Sequence, residues 1–307
     1  MSDPISTKTQ SDRDVIARTA EENPSPSLRA PVGGEAIYGS GQAPQSACGT
    51  EIASGATHPR NDVANVSNLL ARSFFYRFIA DLFRHPSGDA VRNRVDEYQE
   101  QWPLALDKFE EEQKTALGNL FDKLYEELAK SDELNWIREF DSVFGHTAHA
   151  PVPAYEIEYG EEHSFREPQE LADISAFYSA FGLKLSGKQH ERVDHVSVEC
   201  EFMSYLLHKE AFALECGELE NAELCESSSK RFFAEHLGKW VPSLVHKLLR
   251  MKGQGIMRAV AEFTLVYITE DALYQGIQAG PADMSVRRVV EGRETGCVSC
   301  LSKSEIG

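Results

Sequence analysis

Between residues 61 and 83, large apolar side chains return every three to four positions. Leu70, Phe74, Phe78 and Leu82 make one row, and Phe75, Ile79 and Phe83 widen it. That period is the buried stripe of an amphipathic helix, and here the stripe is broad. Pro86 and Gly88 in "RHPSGD" punctuate its end. The pattern predicts further helices over 89–101, over 109–129 on Leu117, Leu120, Phe121, Leu124 and Leu128, and over 134–144. Helical spacing resumes through "QELADISAFYSAFGL", which ends on Gly182, a fitting C-cap, and again over 192–214 with Val198, Phe202, Tyr205 and Leu206 inward. From Glu226 to Met251, Phe233, Leu237, Trp240, Leu244 and Leu248 share a face, and Pro242 should kink or restart that helix. A last helix is predicted over 256–277, with Val260, Phe263 and Tyr267 facing the core.

No segment alternates with period two, and no hairpin dipeptide joins apolar runs. The fold class expected is therefore all-α: a single helical domain of about eight or nine helices over 61–280. Residues 1–60, rich in Ser, Thr, Gly, Pro and Ala, bury too little apolar surface to offset their ordering entropy and read as a disordered arm. Residues 281–307 read as a loose polar tail that carries a CxxC. Inside the domain, residues 145–168 stand out. Three prolines and two glycines rule out a long helix there, and an irregular stretch of that length within a helical domain is often functional.

Composition narrows the function classes. The 31 Lys and Arg against 49 Asp and Glu give a formal charge of -18. Such a surface repels nucleic-acid phosphates and anionic lipid and attracts cationic partners. No apolar run approaches the roughly 20 residues that cross a bilayer, and the first residues lack a basic segment followed by an apolar one. Six cysteines scattered over 307 residues fit a reducing cytosol. The expectations are a cytoplasmic location, no nucleic acid partner and no stable membrane insertion.

Two stretches carry candidate chemistry. In "ERVDHVSVECEFMSYLLHKE", Glu191, Asp194 and His195 stand where a loop becomes a helix, with Glu199 one turn on. Asp194 could cap that helix. The neighbouring imidazole adds a pH-sensitive polar pair able to hold a cationic or amide group. In "FDSVFGHTAHAPVPAYEIEYG", Tyr155, Glu156 and Tyr159 follow a proline-rich turn. Tyrosines on a constrained loop either pack it down or offer apolar area with a polar tip to a peptide.

Taken in order, "FDSVFG", "PAYEIEYG", "QELADISAFYSAFGL" and "ERVDHVSVECEFMSYLLHKE" resemble the TorD/DmsD/NarJ family of molybdoenzyme-specific chaperones. The wording is most similar to the branch serving type II dimethyl-sulfoxide-reductase-family enzymes such as selenate reductase or ethylbenzene dehydrogenase. The resemblance implies an all-helical fold and a non-enzymatic role. It implies binding to the apo form of a molybdoenzyme catalytic subunit, to its twin-arginine signal peptide, or to both, until the cofactor is in place. The family's Asp-His pair falls on Asp194 and His195, and its loop residues on Pro153, Tyr155, Glu156 and Tyr159. No cofactor of the protein's own is expected, guanine-nucleotide binding stays open, and the state is monomer or homodimer. The N-terminal arm and the "CVSC" near the end depart from the family pattern. Signal peptides of this kind carry two adjacent arginines before an apolar stretch, so an acidic surface beside an apolar groove suits them.

Two rivals differ in class. A helical-bundle di-metal carboxylate enzyme needs a Glu-x-x-His on each of two helices plus two further Glu, and no such paired set appears. A generic helical protein-interaction module would have partners other than a molybdoenzyme subunit. Cys297 and Cys300 are the weak candidate metal ligands. One CxxC supplies half a zinc site, and no second pair follows it.

Overall fold

The row of Leu70, Phe74, Phe78 and Leu82 lies on the first and longest helix, α1 (Pro59–Leu82), and every one of those side chains is buried. The computed structural model describes residues 28–29, 59–86, 91–145, 150–161, 167–186, 191–253 and 255–287. Eight further α-helices follow among them. These are α2 (Val91–Leu106), α3 (Glu111–Lys130), α4 (Glu133–Phe144), α5 (Glu167–Ala180), α6 (Val196–Glu215), α7 (Leu219–Phe232), α8 (Gly238–Arg250) and α9 (Ile256–Gln275). A 3-10 turn spans Glu156–Glu158 and a π-turn Phe233–Leu237. The only strands among the described residues are two-residue pieces, β1 (Leu28–Arg29) and β2 (Lys184–Leu185), paired antiparallel. The protein is all-α, as the periodicity predicts. The rest of residues 1–60, together with Cys48, His146, His149, Cys297 and Cys300, lies outside the described residues.

α1 and α6 form the central pair, with α7 on the far side of α6 and α9 linking α8 to α3. The core between them is aromatic. Phe75 stacks on Tyr267, and Phe78 meets Phe263 edge to face at 5.4 Å. Trp102 lies flat on Phe121 at 3.8 Å. Each buried ring removes a large apolar area from water, and offset or edge contacts add to that. Trp102 also explains why α2 outruns its predicted end at Gln101. Pro103 lacks an N–H, but Trp102, Ala105 and Leu106 are buried, and that burial outweighs one missing helix bond.

Helix ends follow local chemistry. Asp132 caps α4 by accepting from the Asn135 N–H at 2.7 Å. Gly182 takes φ +69° after α5, and the Leu183 N–H reaches back to the Tyr178 carbonyl. That is the left-handed closure a glycine allows.

The helix expected over 226–251, with a kink or restart at Pro242, is two helices joined by the π-turn, upstream of that proline. Gly238, at the junction, leaves room for the Phe233 ring, since a Cβ there would come within 2.4 Å of it. Pro242 lies four residues beyond Gly238 and has no N–H to offer the Gly238 carbonyl. That acceptor is taken by the Gly280 N–H at 2.9 Å. The proline thus creates a docking point for the chain that leaves α9. Residues 281–287, the start of the segment expected to be loose, run back over α8 from this point. Ser243 Oγ donates to the Pro281 carbonyl at 2.6 Å and accepts from the Met284 N–H at 2.8 Å.

Candidate functional site

The loop before α5 and the start of α6 meet through their backbones. Tyr155 and His195 form an antiparallel bridge. The Glu156 N–H donates to the Asp194 carbonyl at 2.9 Å, and the Val196 N–H to the Ala154 carbonyl at 3.0 Å. Side chains repeat the joint. Tyr155 Oη donates to Glu191 at 2.7 Å, and its ring meets the His195 ring edge on. The Arg192 guanidinium lies over the other side of Tyr155, 4.2 Å from the ring centre. Tyr159 Oη donates to the Pro153 carbonyl at 2.8 Å, which folds the loop on itself. All eight candidate residues therefore lie in one region or on the helix leading from it. They do so because the proline-rich segment is extended and lends backbone donors and acceptors to the helix start.

Their accessibility divides them. Asp194 and His195 are buried and face inward. Asp194 accepts two bonds from Arg192, at 2.8 and 2.9 Å, and one from the Ile157 N–H. It does not cap α6 as the sequence suggested. His195 is the cap: its Nδ1 accepts from the Ser197 N–H. Nδ1 as acceptor leaves the ring proton on Nε2, facing Glu191 at 3.7 Å. Burial lowers the imidazole's pKa, so the ring is neutral at pH 7. This pair is the hinge pin of the loop rather than its outer surface. Tyr155, Glu156 and Glu191 stay partly exposed.

Glu156 points the other way, toward the π-turn. His236 Nδ1 lies 3.0 Å from its carboxylate. Phe177 and Phe232 flank the imidazole, at 5.3 and 5.1 Å. Behind Glu156 lies Glu199, wholly buried, with one oxygen accepting from Trp240 Nε1 at 2.9 Å. Burial first, and then the facing Glu156 carboxylate, raise Glu199 well above the usual carboxylate range. Both causes favour the neutral acid at Glu199, whose second oxygen meets no donor. The sequence named Glu199 and put Trp240 on an apolar face, but gave no sign that Trp240 or His236 joins this site. His236 comes from the π-turn and Trp240 from α8.

A glutamine in place of Glu199 reproduces a neutral acid. Glu199→Gln is expected to change stability by less than about 1 kcal/mol, as isosteric swaps that keep hydrogen bonds do. It should also alter the pH dependence. The folded state holds a proton that the unfolded chain loses near its ordinary value of 4.5, so this group lowers stability as pH rises above that value. Urea denaturation from pH 4 to 8 should show a shallower fall in Glu199→Gln. An unchanged slope would mean that Glu199 is ionised in the folded protein.

Beside this joint lies a groove of about 590 Å³ between the 3-10 turn, α5 and the π-turn. Ala176, Phe177, Ala180 and Phe181 supply its apolar lining. Four carboxylates, those of Glu156, Glu170, Asp173 and Glu235, stand with Arg231, Lys239 and Arg287 around it. Such a mixture suits a segment with a cationic end and an apolar run. Sequence reasoning missed the α5 carboxylates, because Glu170 and Asp173 look like an ordinary solvated face. Among the described residues, no three His, Cys, Asp or Glu side chains converge as a metal-holding group. The di-metal arrangement has no ligand set there. No described helix is long and apolar enough to cross a membrane.

The family model described as nitrate reductase delta subunit matches residues 106–246, which takes in the loop, the α6 start and the π-turn. Over those residues the chain is similar to the TorD/DmsD/NarJ family. Among similar proteins, the chlorate reductase assembly chaperone protein of Ideonella dechloratans is 31% identical over 78 residues, 25% of this chain and 39% of the relative. The selenate reductase assembly chaperone protein of Thauera selenatis is likewise 31% identical over 78 residues, again 25% and 39%. Chaperone protein TorD of Vibrio cholerae serotype O1 is 24% identical over 96 residues, 30% of this chain and 41% of the relative. The aligned part of the chain thus spans about two fifths of the length of these relatives.

Proposed function

We propose that this protein is a maturation chaperone, not an enzyme. In this reading it works in the cytoplasm and binds the apo catalytic subunit of a molybdenum-cofactor oxidoreductase, its twin-arginine signal peptide, or both. The work is physical. Holding the signal segment delays export, and holding the client leaves its cofactor site open. The observation that carries this reading is the convergence of the proline-tyrosine loop with the α6 start beside a groove that is apolar along α5 and acidic at its rim. Relatives whose names tie them to the assembly of chlorate and selenate reductases agree with it.

The test is calorimetric titration of the full chain with a client-type peptide, two adjacent arginines followed by an apolar run. The same peptide with both arginines replaced by glutamine is the control. Charge-assisted bonds contribute about 1.5–3 kcal/mol each, so the loss of even one should make the control bind roughly 10- to 100-fold more weakly. Equal affinity for both peptides, or no binding of either, would remove the groove from signal recognition. Copurification from the native host separates the family role from a generic interaction module. The former predicts a molybdopterin-binding catalytic subunit as the main partner.

A further inference from the structure

Residues 281–287 do more than follow the last helix. Val286 forms an antiparallel bridge with Tyr159, the loop residue at the edge of the groove. The Gly160 N–H donates to the Ser285 carbonyl at 2.8 Å, and the Arg287 N–H to the Glu158 carbonyl at 2.8 Å. Ser285 Oγ adds a bond to the Gly160 carbonyl at 2.8 Å. The segment is thus a short strand laid along the loop, the way an extended peptide adds to an exposed edge. Gly160 permits it by taking φ +109°, a conformation that an L side chain rarely adopts.

At the end of this strand the Arg287 guanidinium enters the groove lining and grips Glu170 with both oxygens engaged, at 2.7 and 3.0 Å. A bidentate arginine–carboxylate fork is the strongest common form of that contact. With Arg287 set aside, the lining holds four carboxylates against Arg231 and Lys239. Arg231 is already committed to Glu235 at 3.0 Å. With His236 facing Glu156, the guanidinium seat of this lining is at Glu170, and the protein's own chain fills it. The sequence around that arginine has the chemistry of the proposed client segment. Ser285, Val286, Arg287, Arg288, Val289 and Val290 put two adjacent arginines before apolar residues.

We propose that Pro281–Arg287 is a built-in ligand of the groove, held on the Glu158–Gly160 edge with Arg287 in the seat of a client arginine, and that a client segment must displace it. This rests on the reading of the groove given above. The strap can be released: its anchors are the Gly238 carbonyl freed by Pro242, the Ser243 hydroxyl, the loop edge and Glu170, and it has no helix of its own and only the partly buried Met284 packed on the core. An occupied site binds its client more weakly by the fraction of time that it is open, so the strap sets a threshold that non-client peptides fail to pass.

The experiment uses the full chain and the arginine-pair peptide described above. Arg287→Gln should bind it about tenfold tighter than the parent, because the competitor is weakened. Adding Glu170→Gln to that variant should return the affinity about tenfold, because the client loses the same seat. In the unmutated protein, hydrogen exchange followed by mass spectrometry should show the amides of Met284 and Arg287 released when peptide is added. The Gly160 amide should stay protected, having changed partners. Peptide binding that leaves Arg287→Gln no tighter and those two amides protected would overturn the built-in ligand while leaving the groove's client role intact. Peptide that binds neither protein would sink the groove reading and the built-in ligand together.

Discussion

Replacing Asp271 with alanine is expected to destabilise the protein by about 3–5 kcal/mol, the range found when one partner of a buried ion pair is removed. Arg72 on α1 and Asp271 on α9 are 7% and 2% exposed, with Nε 2.6 Å from Oδ1 and Nη2 3.3 Å from Oδ2. Tyr76 Oη and Gln275 Nε2 both donate to Oδ2, at 2.5 and 2.6 Å, and Tyr267 Oη closes the ring on the Arg72 carbonyl at 3.0 Å. Burial works against the arginine's charge, and the facing carboxylate overrides it, so Arg72 is held charged. Alanine at 271 leaves that charge inside the helix pair without its hydrogen-bonded counterion and strips two neighbours of their acceptor. Apolar replacement of both partners, Arg72→Met with Asp271→Leu, is expected to be far milder, because no buried charge remains. Urea denaturation of the two variants measures the difference. A loss below about 1 kcal/mol in Asp271→Ala would show that water reaches Arg72 and that the pair is a surface pair in effect.

The network also illustrates what periodicity can and cannot foresee. The aromatic rows of α1, α3 and α9 are legible because burial repeats every 3.6 residues and leaves a stripe. Arg72 and Asp271 fall beside those stripes, 199 positions apart, and nothing local in either helix points to the other. The division of the 226–251 helix was half legible. Pro242 announced a break, but α8 runs on through it, and the wide turn lies upstream at Phe233–Leu237, where Gly238 makes room for the Phe233 ring. At the candidate site, the proline-tyrosine loop and the Asp-His turn, both singled out in the sequence, meet through backbone bonds. What could not be foreseen was orientation. Asp194 and His195 were candidates for contact with a partner, yet the helix start turns them inward, where Arg192 and Ser197 satisfy them. The groove lining comes from Glu170, Asp173 and His236, whose facing depends on how α5 and the π-turn pack.

Because Asp194 is the pin of the loop, its loss should be felt in both stability and binding. Its carboxylate, wholly buried, takes two bonds from Arg192 and one from the Ile157 N–H, while its backbone carbonyl takes the Glu156 N–H. Alanine keeps the backbone bond and removes the other three. Arg192 can turn to solvent, since its side chain is already 43% exposed, so its charge is not stranded. The Ile157 N–H cannot, because Ile157 is buried in the 3-10 turn. One orphaned amide and the lost charge-assisted bonds together predict a loss of about 2–4 kcal/mol for Asp194→Ala. Asp194→Asn, which keeps an acceptor for Ile157, should lose about half as much. The loop should loosen first. Hydrogen exchange at Glu156 and Ile157 should speed up in Asp194→Ala before the amides within α6 do, as expected of a local opening below the global one. Since Glu156 and the Glu158–Gly160 edge ride on that loop, affinity for the arginine-pair peptide should fall at the same time, with Asp194→Asn intermediate. If peptide affinity stays at the parent value while the loop amides exchange freely, the loop's position does not matter to the groove. The joint between the two segments would then be a matter of folding alone.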